Sequence, residues 1–162
     1  LWPDRTRRAL LLAPLALAAC GFAPAYGPGG SGTALRGLVA VETPETSDGF
    51  QLRARLEDRL GRAAAPVATL AMDPAVEVVQ AAVTPEGAIT RYNLQGRAPW
   101  RLTDASGTVL AESEATAFTG YSATGPIVAS RTAAEDARER LMILLADEVV
   151  MRLLLLPEGT LR

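Results

Sequence analysis

The sequence predicts an α+β fold, a two-layer sandwich in which two helices pack on one face of a four-stranded, mainly antiparallel sheet in the order β-α-β-β-β-α. Three observations lead there. Segments 47–63 and 132–156 repeat apolar residues at helical spacing. Between them, "PAVEVVQAAVTPEGAITRYNLQGRAPWRLTDASGTVLAESEATAFTGY" reads as three strands, divided by turns at Pro85-Glu86-Gly87 and Asp104-Ala105-Ser106-Gly107. Consecutive antiparallel strands flanked by amphipathic helices bury one sheet face under those helices and leave the other wet.

The chain opens with a different signal. Arg5, Arg7 and Arg8 precede an apolar segment at 9–19, and small residues lead up to the only cysteine, Cys20. That is the layout of a secretory signal, and the segment falls short of the ~20 apolar residues that span a bilayer. Leu17-Ala18-Ala19-Cys20 resembles the bacterial lipobox, in which the cysteine sulfur takes lipid and the chain is cut just before it. The expected organisation is a signal peptide at 1–19, a lipidated N-terminus and flexible tether at 20–34, rich in Gly, Pro, Ala and Ser, and one domain at 35–162. Leu1 is no ordinary initiator, so the start is expected upstream or at an unusual codon. The alternative is an ordinary secretory signal followed by a free thiol. A lipid on Cys20 holds the protein to a membrane without spanning it. Lipoproteins of this class that stay in the inner membrane carry Asp after the cysteine; Gly21 stands there instead, which directs the expectation to the periplasmic face of the outer membrane.

The domain elements follow in order. "ALRGLVAVETPE" is a short strand with Val39 and Val41 on one side, ended by Pro44. "SDGFQLRARLEDRLGRA" is a helix with Asp48 and Gln51 as a capping box and Leu52, Leu56 and Leu60 inside. Arg53 with Glu57 and Asp58 with Arg62 are expected as i,i+4 pairs, and Gly61 as the stop. The closing helix is expected to start at a Thr132–Glu135 capping box, with Ala134, Ala137, Leu141, Leu145, Val149, Leu153 and Leu156 facing the core.

Composition narrows the chemistry. The chain has no histidine and no lysine, so all 16 basic residues are arginine against 18 acidic ones. Histidine-based acid–base catalysis, Ser-His-Asp triads and histidine metal ligation are excluded by inventory. Loss of Asp4, Arg5, Arg7 and Arg8 with the signal makes the mature chain still more acidic, unlike a nucleic-acid binder. No metal, no cofactor beyond the lipid on Cys20 and no enzymatic activity are expected. The competing catalytic reading, a hydrolase using paired carboxylates, rests on Glu112 and Glu114, which share a strand face but have arginines to match them.

The third strand alternates cleanly. Tyr92, Leu94, Gly96, Ala98, Trp100 and Leu102 lie on one face; Arg91, Asn93, Gln95, Arg97, Pro99 and Arg101 lie on the other. A turn pairing Thr103 with Thr108 would set Trp100 opposite Ala111, Ala98 opposite Ser113, Gly96 opposite Ala115 and Arg97 opposite Glu114, with Arg101 diagonal to Glu112. One reading of the arginine row is cross-strand ion pairing on a solvated face. The other is anion recognition, because guanidinium forks grip phosphate bidentately. Arg91, Arg97 and Arg101 are the candidates, and Arg91 has no evident carboxylate opposite it.

"LAACGFAPAYG", "GFQLRARLEDRLG", "ITRYNLQGRAPWRLTDASGTVLAESEATAFTGY" and "AAEDARERLMILLADEVVMRLL" together resemble the LPS-assembly lipoprotein family LptE in its alphaproteobacterial form. The resemblance implies two helices packed on a four-stranded sheet and a non-enzymatic role. It implies a seat inside the lumen of a large outer-membrane β-barrel, LptD, whose assembly such proteins assist, and binding of lipopolysaccharide on its way to the cell surface. A plug is wrapped by barrel wall, so Glu86 and Ser106, in the two turns, are expected partner contacts. A generic envelope adaptor for another protein is the alternative.

Overall fold

The computed structural model describes residues 27, 30–157 and 159–161; Cys20 and the expected signal at 1–19 lie outside the described residues. A single turn, α1 (Ser31–Leu35), leads into β1 (Val39–Glu42), where Val39 is buried. The chain then turns at Thr43-Pro44 into α2 (Ser47–Leu60).

The cap of α2 differs from expectation. Thr46, in extended conformation, is the N-cap, and its hydroxyl accepts from Gly49 N at 3.1 Å. Asp48 therefore sits inside the first turn, where its carboxylate accepts from Arg138 Nε and Nη2 at 2.6 Å each. This contact raises the Arg138 pKa and ties α2 to the last helix. Leu52, Leu56 and Leu60 are buried, and Gly61 (φ +74°) ends the helix with its N–H on Glu57 O. The two expected i,i+4 pairs are re-partnered. Arg53 reaches back toward the helix N-terminus and donates to Thr43 Oγ1 (3.2 Å) and Thr43 O (3.0 Å). Arg62, beyond the Gly61 stop, leaves the helical path and meets Glu57 at 2.9 Å, while Asp58 pairs with Arg55 at 3.4 Å.

The sheet has five strands, one more than expected. The additional β2 (Ala68–Met72) runs parallel to β1, from Val39 opposite Ala68 to Glu42 opposite Ala71. It is followed by β3 (Ala75–Val83), β4 (Ile89–Asp104) and β5 (Val109–Ser122). β5 pairs along almost the whole of β4, so β2 and β3 share its other edge, both antiparallel to it. They do so in one continuous register, with Met72 opposite Trp100 and Ala75 opposite Arg97. The interruption between them is Asp73-Pro74, facing Pro99. Asp73 N donates to Pro99 O at 3.3 Å, and Pro99 has no N–H to return.

Two turns of one kind close the hairpins. In 84–88 and 104–108 the first residue bonds the fifth backbone to backbone, and the fourth, Gly87 (φ +88°) or Gly107 (φ +86°), takes the left-handed conformation such three-residue loops need. The second turn corrects the expected register. Asp104, not Thr103, faces Thr108, and a bulge at Leu110 adds a further step, so Thr103 meets Val109 and Leu102 meets Ala111. Trp100 therefore lies opposite Ser113, Ala98 opposite Ala115, Gly96 opposite Ala117 and Arg97 opposite Thr116. The total slip is two residues, which leaves every side chain on its expected face.

The last helix, α3 (Ile127–Leu154), starts five residues before the expected Thr132 cap, after Pro126, without a side-chain cap bond. Thr132 lies inside it and bonds back to Val128 O at 3.2 Å, and Glu135 pairs with Arg131. Its first turn is exposed, with Ile127 89% and Val128 77% accessible, so no buried stripe marks it in the sequence. From Ala137 onward Leu141, Leu145, Val149 and Leu153 are buried against Leu94, Ala98, Trp100 and Leu102 of the sheet. Leu156 lies past the helix end and still packs on the core. A side chain on Gly96 would stand 3.0 Å from Leu141 and Leu145, which marks where α3 comes closest to the sheet. Asp147 of α3 meets Arg55 at 3.0 Å and Arg59 at 3.8 Å, a second link between the helices. Both helices thus cover one face of the sheet, and the other face is open among the described residues. No helix among the described residues is long and apolar enough to cross a membrane.

Candidate functional site, the open sheet face

Alternation along β4 turns Leu94, Gly96, Ala98, Trp100 and Leu102 inward and Arg91, Gln95, Arg97, Pro99 and Arg101 outward, all five exposed. The three arginines spread along the strand, Arg91 about 20 Å from Arg97 and Arg97 about 13 Å from Arg101 at ~3.3 Å per residue. They do not converge on one point; each offers a separate fork.

Their surroundings differ. Arg101 lies directly opposite Glu112 and donates to it at 3.1 Å, with both side chains 61% exposed. Arg97 faces Thr116 and Arg91 faces Ser122, and neither has an ion pair or hydrogen bond among the described residues. Glu114, the expected partner of Arg97, lies opposite Pro99 instead. The face is therefore polarised. Around Arg101 the rows carry Glu42, Glu112 and Glu114, whereas around Arg91 and Arg97 the only carboxylate in register is Glu77, opposite Gln95.

Beside Arg97 lies a hollow of about 320 Å³ lined by Asn93, Gln95, Thr116 and Phe118. Phe118 is 75% exposed, an aromatic ring on a polar face next to an unpaired guanidinium. Sequence reasoning missed it. The available signal was its odd-numbered partner Gln95, since residues paired across strands share a face. On the helix side, Tyr92 and Tyr121 stack at 5.3 Å.

The two turns lie at opposite ends of β4, so Glu86 and Ser106, both exposed, are separated by about 50 Å along the strand. Asp104 organises the second turn: its Oδ1 accepts from Ser106 Oγ (2.7 Å), Thr108 N (2.9 Å) and Ser106 N (2.8 Å). The Ser106 hydroxyl first, and then the Thr108 amide, hold its carboxyl below the ordinary carboxylate range. Glu112 and Glu114 both stand on the solvated face, whereas carboxylate pairs that do acid–base work are set apart by burial. Among the described residues no three potential ligands gather around a metal-sized site.

Solved structures share this architecture. A protein from Caulobacter crescentus, provisionally described as a lipoprotein, superposes with a TM-score of 0.60 at 21% identity, covering 76% of this chain and 92% of its own. The rare lipoprotein B from Shewanella oneidensis gives 0.55 at 15% identity, covering 71% and 92%. A minor lipoprotein from Acinetobacter baumannii gives 0.54 at 13%, covering 73% and 90%. At these identities the likeness concerns the fold. Comparison with curated proteins gives no match. The family model for LptE, lipopolysaccharide-assembly, matches residues 38–153, from the start of β1 nearly to the end of α3. The chain belongs to the LptE family.

Proposed function

We propose that this protein is the lipid-anchored plug and assembly subunit of a lipopolysaccharide translocon, held by the lipid on Cys20 at the periplasmic side of the outer membrane and seated in the lumen of an LptD-like β-barrel. In this reading it is no enzyme, needs no cofactor besides the lipid, and works through its surfaces. The match of the LptE model to residues 38–153 carries the assembly role. Arg91 and Arg97, exposed and unpaired among the described residues, support contact with lipopolysaccharide phosphates. Arg101, engaged by Glu112, is the weaker contributor.

Arg91→Gln with Arg97→Gln is expected to leave the thermal melt unchanged while weakening lipopolysaccharide binding at low salt by about tenfold, because each fork gives charge-assisted bonds to phosphate. Residual binding should fall steeply with salt. Arg97→Lys keeps the charge and loses the fork, and should weaken binding as well. Equal affinity of wild type and double variant would remove this face from the mechanism and leave barrel plugging.

Photo-crosslinkers at Glu86 and Ser106 should both capture one large outer-membrane protein, since a wall that encloses the domain lengthwise reaches both ends of β4. Capture of soluble periplasmic proteins alone would favour the generic adaptor. Mass spectrometry of the mature N-terminus should find an acylated Cys20, and Cys20→Ser should release the protein from the membrane. A free thiol at Cys20 would refute the anchor.

A further inference from the structure

β1 stops at Glu42, opposite Ala71, and the chain leaves the sheet through Thr43 and Pro44. The lane that β1 occupies continues alongside β3, and there none of the described residues fills it. Residues 75–80 bond to β4 and to nothing else among the described residues. The direction of the free groups follows from Asp73, whose N–H points at β4 and meets Pro99 O. The N–H and C=O of one strand residue face the same edge, and alternate residues face opposite edges. Ala75, Glu77 and Val79 therefore bond inward, whereas Val76, Val78 and Gln80 present a donor and an acceptor each to the outside.

This edge carries few of the usual guards against pairing, its one charge being Glu77. β3 contains no arginine and no proline, and its bulge, at Gln80–Val83, bends only the far end. The strand is exposed on both faces, with Val78 49% and Val79 36% accessible. Its near end is acidic. Glu42 and Asp73 line a hollow of about 740 Å³ with Thr43, Pro44 and Met72; Arg101 also lines it, its charge taken up by Glu112 beside it. Glu77 follows along the same edge, and none of the three carboxylates has an ion pair among the described residues.

We propose that the outer edge of β3 is a docking site for an extended segment of a partner protein, which adds a strand in the lane vacated by β1. The unpaired backbone row calls for a strand; Val78, on the same side of the sheet as Leu94, calls for apolar side chains at every second residue on that side; Glu42 and Asp73 call for an arginine or lysine at the end beside them. The proposal is independent of phosphate contact by Arg91 and Arg97.

The probe is a fluorescent eight-residue peptide of alternating valine and threonine with a terminal arginine, N-methylated at every second residue so that it has one free edge and cannot stack on itself. The full chain in detergent should bind it. A version methylated at every residue should bind at least about tenfold more weakly, because backbone bonds carry the contact. Val78→Pro, which removes one outward N–H and leaves the ladder to β4 intact, should cause a similar loss with an unchanged circular dichroism melt, whereas Val78→Thr should bind normally. Glu42→Gln with Asp73→Asn should weaken binding about threefold and reduce its salt dependence, Glu77 remaining. Equal binding of the two peptides, wild-type affinity in Val78→Pro, or no binding at all would overturn the proposal. A concentration-dependent dimer that Val78→Pro abolishes would assign the edge to a second copy of this chain and overturn it too. Should Val78→Pro fail to fold, the peptide pair decides alone.

Discussion

Trp100→Ala is expected to destabilise the protein by about 3–5 kcal/mol, the range for deleting a large buried aromatic. The indole is only 5% exposed, on the helix face of β4 between Met72 of β2 and Ser113 of β5. Little around it can collapse into the space, because those neighbours are held on three paired strands. Its Nε1 is buried without a hydrogen-bond partner among the described residues, so the loss is one of packing and not of a hydrogen bond. That separates two variants. Trp100→Phe keeps most of the apolar volume and removes the unpaired donor, and should cost far less than Trp100→Ala. Chemical denaturation of the purified protein measures both. A cost below about 1 kcal/mol for Trp100→Ala would mean that the ring is not a core element.

Gly49→Ala should cost about 3 kcal/mol, the upper part of the usual range for overpacking. Gly49 is buried in the first turn of α2, and a Cβ there would stand 2.1 Å from the Pro44 carbonyl oxygen. This is a backbone atom, and its segment is held on both sides. Thr43 donates its hydroxyl to Gly49 O at 2.9 Å, and Arg53 clamps the Thr43 carbonyl. Relief requires the β1–α2 connection to move, which would disturb the Thr46 cap and the Asp48–Arg138 contact. The unfolding midpoint of Gly49→Ala, compared with that of Ala54→Gly on the exposed side of the same helix, reads this directly. Ala54→Gly loses only helix propensity, about 1 kcal/mol. A smaller loss for Gly49→Ala than for Ala54→Gly would show that the connection yields.

The candidate site was legible in part. The arginine row is visible in the sequence because alternation along 91–101 places Arg91, Arg97 and Arg101 on one face whatever they pair with. Which of them is free was not visible. That depends on the turn, which closes on Asp104 and not Thr103, and on the bulge at Leu110; each adds one residue, and together they move Glu114 from Arg97 to Pro99 and bring Glu112 directly onto Arg101. The exposed Phe118 escaped notice for a related reason: its meaning comes from sitting beside Arg97, a neighbour 21 residues away in sequence.

The sequence by itself determined what local periodicity and turn chemistry control. The leucine spacing of 52–60 and 141–153 settled which helix sides are buried, the alternation of 92–102 settled the two faces of the sheet, and Gly87 and Gly107 settled the turns. Only the tertiary structure decided what depends on distant partners. β2 is five residues, Ala-Thr-Leu-Ala-Met, without the β-branched alternation that marks β1, and becomes a strand because β1 and β4 pair with it on either side. Arg53 abandons Glu57 for the Thr43 carbonyl, and Asp48 abandons the cap for Arg138, because those groups arrive from other elements. The strand register slipped by two residues without changing a single face, since side-chain direction repeats every second residue. Periodicity therefore specifies the faces, and the choice among registers of equal parity falls to turn geometry and to contacts across the strands.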